Sequence, residues 1–262
     1  YEFFQNFVQA RDMYFLEPTI IRPLTARHQL SYAEVAGPSR VEWFVSHYWG
    51  HSFSETCAAL TKHAKGFAGV AWRKVAYWIC TLSNNQFAVS EELGNGQWAQ
   101  SSFYLALRSD SCQGMCMVLD ESLFPLERSW CLFELLQTMI RVEEQDHSQL
   151  DEQRPNFSGV LFCTSSGIIN HGEASSEVSL NIGARIAMLR LEHAKASIPY
   201  DKQMIDDLVE SDMGGFDKIN RKLRAQFANA LSASRAAMLF KFDRIHSQLG
   251  AFEEALEQEE SN

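Results

Sequence analysis

The chain has 262 residues, a hydrophobic fraction of 46% and a formal net charge of −10. Such length and apolar content suit one large domain, or a medium domain with helical additions, and argue against a disordered chain. The acidic balance, with no long Lys/Arg stripe to offset it, argues against a nucleic-acid binder, yet allows a small anionic ligand held by backbone N–H groups at a helix start.

Six cysteines, Cys57, Cys80, Cys112, Cys116, Cys131 and Cys163, lie among apolar residues and form no C-x-x-C pair. In a chain of this size that pattern fits buried reduced thiols and a reducing compartment rather than a disulfide framework. No stretch approaches the roughly 20 apolar residues that span a bilayer. A cytoplasmic location without a membrane span is the expectation.

Residues 1–40 read as a helical lead-in, "YEFFQNFVQARDMYF", followed by a connection through Pro23 and Pro38. At Val41 the pattern changes to "VEWFVS", short, aromatic and β-branched, which predicts a buried strand. It runs into "HYWGHS", where Gly50 can turn the chain, and Ser52 with Glu55 matches a capping box opening the helix "SETCAALTKHAKGF". A second strand is predicted from Val75, "VAYWICTLS", ending at Asn84 and Asn85. The helix "WAQSSFYLALRS", the strand "GMCMVLD" and the helix "SWCLFELLQTMI" follow, then a charged linker and a fourth strand, "GVLFCTS". From about residue 171 the pattern is mostly amphipathic helix, expected to pack on the core.

Alternating helices and continuously apolar strands predict parallel strands covered on both faces. The fold class is therefore α/β: a doubly wound, mainly parallel, flavodoxin-like sheet over residues 41–170, with added helices at 1–40 and 171–262. Ligands of such sheets bind at the carboxyl ends of the strands, which singles out loops 46–52, 82–98, 120–129 and 164–175. Glu134 lies just beyond one of them. Steps of three and four place it on one helix side with Trp130 and Cys131, opposite the stripe Leu132, Leu135, Leu136 and Met139. A solvated helix-start carboxylate is the plainer explanation of that residue.

Other signals are weaker. His47 and His51 have the spacing of metal ligands on a helix, but Gly50 places them on a loop and no further ligand completes a set, so no metal is expected. Ser165-Ser166-Gly167 reads as a turn. Esterase, NTPase and dehydrogenase motifs are absent from the sequence.

Phe44-Val45-Ser46 at the end of the first strand, a helix before an apolar third strand, and above all Trp130-Cys131-Leu132-Phe133-Glu134-Leu135 resemble a TIR (Toll/interleukin-1 receptor) domain. The last motif is similar to plant-type members. The resemblance spans roughly residues 40–170 and implies a choice between two roles. One is cleavage of NAD at the nicotinamide–ribose bond, with Glu134 catalytic and NAD as substrate rather than cofactor. The other is a catalytically silent interaction module, a homo- or hetero-oligomer built through TIR-like surfaces. For the enzyme, Trp130 would wall or stack on the pyridinium. Ser46, His47, Trp49, Gly50 and His51 of the first loop, with Asn84 of the second, would bind the rest of the nucleotide, its phosphates lying at the helix start near Ser52.

Overall fold

In a computed structural model, which describes residues 7–8, 10–147 and 157–260, a five-stranded sheet has the order β2-β1-β3-β4-β5. The strands are β1 (Trp43–Ser46), β2 (Tyr77–Ile79), β3 (Met115–Val118), β4 (Val160–Thr164) and β5 (Gly167–Ile168). The first four are mutually parallel and β5 returns antiparallel to β4. The longer helices are α1 (Phe53–Ala68), α2 (Ser102–Arg108), α3 (Ser129–His147), α4 (Ser176–Met188), α5 (Pro199–Met213) and α6 (Phe216–Glu260). This is the α/β doubly wound architecture expected, with extra helices before and after the sheet.

Side chains alternate across a strand, and here both faces are covered, which is why the strands read as unbroken apolar runs. Trp43 and Val45 of β1 join Cys116, Val118, Leu161 and Cys163 under α1, whose Ala59 and Leu60 are buried against them. Phe44 points the other way, into the larger cluster with Met115, Met117 and Phe162, covered by Leu132, Leu135, Leu136 and Met139 of α3. By the same alternation Ser46 faces α3, not α1. The C-terminal helices complete that larger cluster with Ile182, Ile205, Leu223 and Phe227. Phe227 meets Phe162 edge-on, with ring centroids 5.0 Å apart.

Two elements differ from the sequence reading, and both differences shape the strand ends. β2 stops at Ile79, and Cys80–Ser83 makes a helical turn instead of continuing the strand. The Ile79 N–H donates to Ser83 Oγ at 3.1 Å, and the Gln86 amide donates to the carbonyls of Cys80, Thr81 and Asn84. As the edge strand, β2 forgoes ladder bonds on one side only, so these side chains can replace them. After β4, the turn at Ser165-Ser166 appears as expected, its N–H groups at Ser166 and Gly167 each 3.2 Å from Thr164 Oγ1. Gly167 nevertheless starts β5, at φ +147°, with backbone of Glu173 where a side chain would stand.

The lead-in is helical without a break from Met13 to Thr25, wound as a π-helix over Glu17–Ile21; residues 1–6 and 9 lie outside the described residues. It is tied to the first sheet loop. The Met13 N–H donates to Trp49 O, and the Phe53 N–H to Arg11 O, each at 2.8 Å. Among the described residues no helix is long and apolar enough to cross a membrane.

Candidate functional site

The carboxyl ends of β1 and β2, the start of α3 and the lead-in enclose a cavity of about 370 Å³. Its lining includes five of the residues singled out in the sequence: Glu134, Trp130, His47, Trp49 and Asn84. Loop 46–52 and the α3 face thus come together, though 84 positions separate His47 from Cys131, whose thiol lies 3.7 Å from the His47 carbonyl.

Glu134 is 4% exposed, and its Oε2 has no hydrogen-bond partner. Burial pushes the carboxyl up to about 8, because the charged form loses hydration. The Ser46 hydroxyl beneath it eases that charge slightly, yet forms no hydrogen bond of normal geometry with it. Ser46 is wholly buried and does not line the cavity. The helix-start position expected for a solvated carboxylate has become an interior one, since the lead-in and loop 82–98 roof it over.

His47, also buried, has neither ring nitrogen hydrogen-bonded. Burial, then the neighbouring His51, lowers its imidazole to about 4, while the Val45 backbone opposes them. It is neutral at physiological pH. The Cys80 thiol is pushed up to about 11 by burial and the adjacent Glu134, and the Cys131 thiol rises well above its usual value for the same reasons, so neither supplies a thiolate nucleophile.

Aromatic rings form much of the wall, and each is anchored. Trp130 donates from Nε1 to Asp201 of α5 at 3.0 Å and stacks on Phe103 at 5.3 Å. A C-terminal helix therefore orients the tryptophan of the W-C-L-x-E-L segment. Trp49 donates to Cys80 Sγ at 3.2 Å and leans on Tyr14 of the lead-in at 5.6 Å. Asn84 accepts from Ser102 at 2.8 Å through its side-chain oxygen.

Gly50 and His51 lie off the cavity. At Gly50 a Cβ would stand 2.5 Å from the Tyr48 ring, so the glycine makes room for Tyr48, which does line the cavity. His51 turns toward acids, with Nε2 3.1 Å from Asp120 and 3.5 Å from Glu55. Burial opposes charge on Asp120, but the His51 imidazole beside it and hydrogen bonds from Ser122 outweigh it and hold the carboxyl below its ordinary range. The helix start near Ser52 is also occupied by the protein itself. Ser52 Oγ caps the Glu55 N–H at 3.2 Å, and Arg11 takes the Phe53 N–H. Those donors are no longer open to a phosphate.

Cationic groups that the sequence reading missed stand elsewhere in the lining. Arg22 lies beside Glu17 at 2.7 Å. Arg128, at the approach to α3, lines the cavity with no carboxylate recorded at ion-pair distance among the described residues. The adjacency of Arg128 to the Trp130 motif was the one available signal for it. Nothing local marked Tyr14, Glu17 or Arg22. Among the described residues no group of three or more His, Cys, Asp and Glu is placed to hold a metal ion.

Comparison with known proteins finds no family model, no curated protein and no solved structure that matches the chain.

Proposed function

We propose that the chain is a TIR-like NAD nucleosidase that cleaves the nicotinamide–ribose bond at Glu134. The observation carrying this reading is a buried carboxyl, without an ion pair among the described residues, facing a partly aromatic cavity beside Trp130. The W-C-L-x-E-L motif and the doubly wound sheet add the TIR resemblance.

The chemistry asks little more of the protein. Breaking the C1′–N1 bond sends its electron pair to the pyridinium nitrogen, so nicotinamide leaves neutral and needs no general acid. The ribosyl cation left behind resembles the oxocarbenium of glycoside hydrolysis and is stabilised by a carboxylate held close in a dry site. Water then adds at C1′ and releases a proton. An empty cavity keeps Glu134 largely protonated at neutral pH, but an entering pyridinium favours the ionised form, so binding and proton release are coupled. Neutral His47 has ring nitrogens free to meet a carboxamide or hydroxyl. The pyrophosphate falls to Arg128 rather than to the helix start at Ser52, where the Phe53 and Glu55 N–H groups are taken. All six thiols are unpaired; four are buried as expected, while Cys80 is half-buried and Cys57 is exposed on α1, and free thiols of this kind suit a reducing cytoplasm as the place of action.

Nicotinamide release from NAD, compared between the native chain and Glu134→Ala, tests the reading. At least a hundredfold loss in the variant is expected, in line with removal of a preorganised electrostatic group. Equal release from both, or none from the native chain at any concentration up to assembly, would return the protein to the silent interaction module. Arg128→Gln should raise KM about tenfold with little change in kcat, the pattern of a binding contact worth roughly 1.4 kcal/mol. A kcat loss without a KM change would remove Arg128 from phosphate binding.

A further inference from the structure

α6 runs for 45 residues, and only its first half is covered by the fold. Ile219, Leu223, Phe227 and Ala230 are buried against the core, and Ser234 still donates to the Ile169 carbonyl at 3.0 Å. Past Met238, whose sulfur still accepts from Ser176 Oγ of α4 at 3.3 Å, the helix leaves the body, but its apolar face does not stop. Met238, Phe242, Ile245 and Leu249 are 38–62% exposed and follow one another at spacings of four, three and four. Such a seam repeats every 3.5 residues on average and is the a/d pattern of a coiled coil rather than the broader face of a surface helix. Leu239 and Phe240 beside it are exposed as well, a concentration of apolar surface that monomers seldom leave in water.

We propose that the projecting half of α6 pairs antiparallel with α6 of a second copy of this chain. The sequence is self-complementary in that arrangement. It continues the spacing with Phe252 and Leu256. Laid antiparallel about Ser247, Met238 falls level with Leu256 of the other copy, Phe242 with Phe252 and Ile245 with Leu249. All three levels then pair an a with a d position, as antiparallel coiled coils require. Charge selects the same direction. Residues 253–260 include Glu253, Glu254, Glu257, Glu259 and Glu260 with no basic residue, whereas Arg235, Lys241 and Arg244 precede them. Antiparallel pairing sets the acidic end beside Arg235 and Lys241; parallel pairing would set five glutamates against five. The overlap from residue 238 to 256 is about 28 Å of helix at the usual rise.

Sedimentation of the full chain across 1–100 μM tests the pairing. A monomer–dimer equilibrium is expected, weakening at least tenfold between 50 mM and 500 mM salt. The pair Phe242→Glu with Ile245→Glu should leave a folded monomer at every concentration, because both positions are exposed in the single chain and neither touches the core. Lys241→Glu should weaken the dimer while leaving the apolar seam whole. A chain that stays monomeric throughout, a dimer indifferent to the double substitution, or a dimer strengthened by Lys241→Glu or by salt would each overturn the proposal.

Discussion

Glu134→Gln is expected to make the protein more stable at and above neutral pH, by on the order of 3 kcal/mol at pH 7. The native carboxyl keeps its proton up to about pH 8, whereas the reference carboxyl releases it near 4.5. Between those values the native state binds more protons than the unfolded chain, so stability falls as pH rises, by about 1.4 kcal/mol for each unit inside the window. Below pH 4.5 both states are protonated and the penalty vanishes; above 8 it is complete. Glutamine has nearly the same shape and no charge to desolvate, so it removes the penalty. Urea denaturation at pH 5 and pH 8 reads this directly. The native midpoint should drop between the two values by more than that of the variant, and identical drops would show that Glu134 is hydrated or paired in solution.

On the proposed nucleosidase reading, the same protonation governs rate. A carboxylate that stabilises a cation must be ionised, so kcat/KM should climb with pH and level off above about 8. A general acid would give the opposite slope. Greater stability with lost activity in Glu134→Gln would be the behaviour of a group held in an unfavourable place for its chemistry.

Phe227→Ala should cost about 3–5 kcal/mol, the range for truncating a large ring in a packed core. Phe227 is 2% exposed, lies against Phe162 of β4, and passes Gly183 of α4 so closely that a Cβ there would stand 3.2 Å from its ring. One side chain therefore joins α6, α4 and the sheet. Its removal leaves a cavity at their junction, and the urea midpoint should fall without a change in slope if the three unfold together. A loss below about 1 kcal/mol, or a second transition, would mean that the C-terminal helices are not part of the cooperative core.

The largely apolar runs 43–46, 115–118 and 160–164 and the helices between them were legible because a strand covered on both faces needs no partner to announce itself: nearly every position is apolar. The same logic located Glu134 as the odd residue in α3 and placed it on the side of Trp130. What remained illegible was long-range. That Cys80–Ser83 would coil away from β2 depended on Gln86 and Ser83 replacing ladder bonds, and β5 was too short to leave a periodic trace. Ser46 was identified as a binding residue from its motif, but strand alternation sets it beneath Glu134 instead of in the cavity wall. Gly50 and His51 were placed by loop position alone, and it took Tyr48 and Asp120 to show where they turn.

By itself, then, the amino-acid order determined the layered α/β class and the residue on which a chemistry could be built, since burial pattern and helical spacing are local properties written within about a dozen positions. Only the tertiary structure decided that Glu134 is dry, that Arg128 faces the same hollow, and that Asp201 and Tyr14 hold its aromatic walls. Hydration, and with it the proton affinity of a carboxyl, depends on which distant segments close over it, and no neighbour along the chain encodes that.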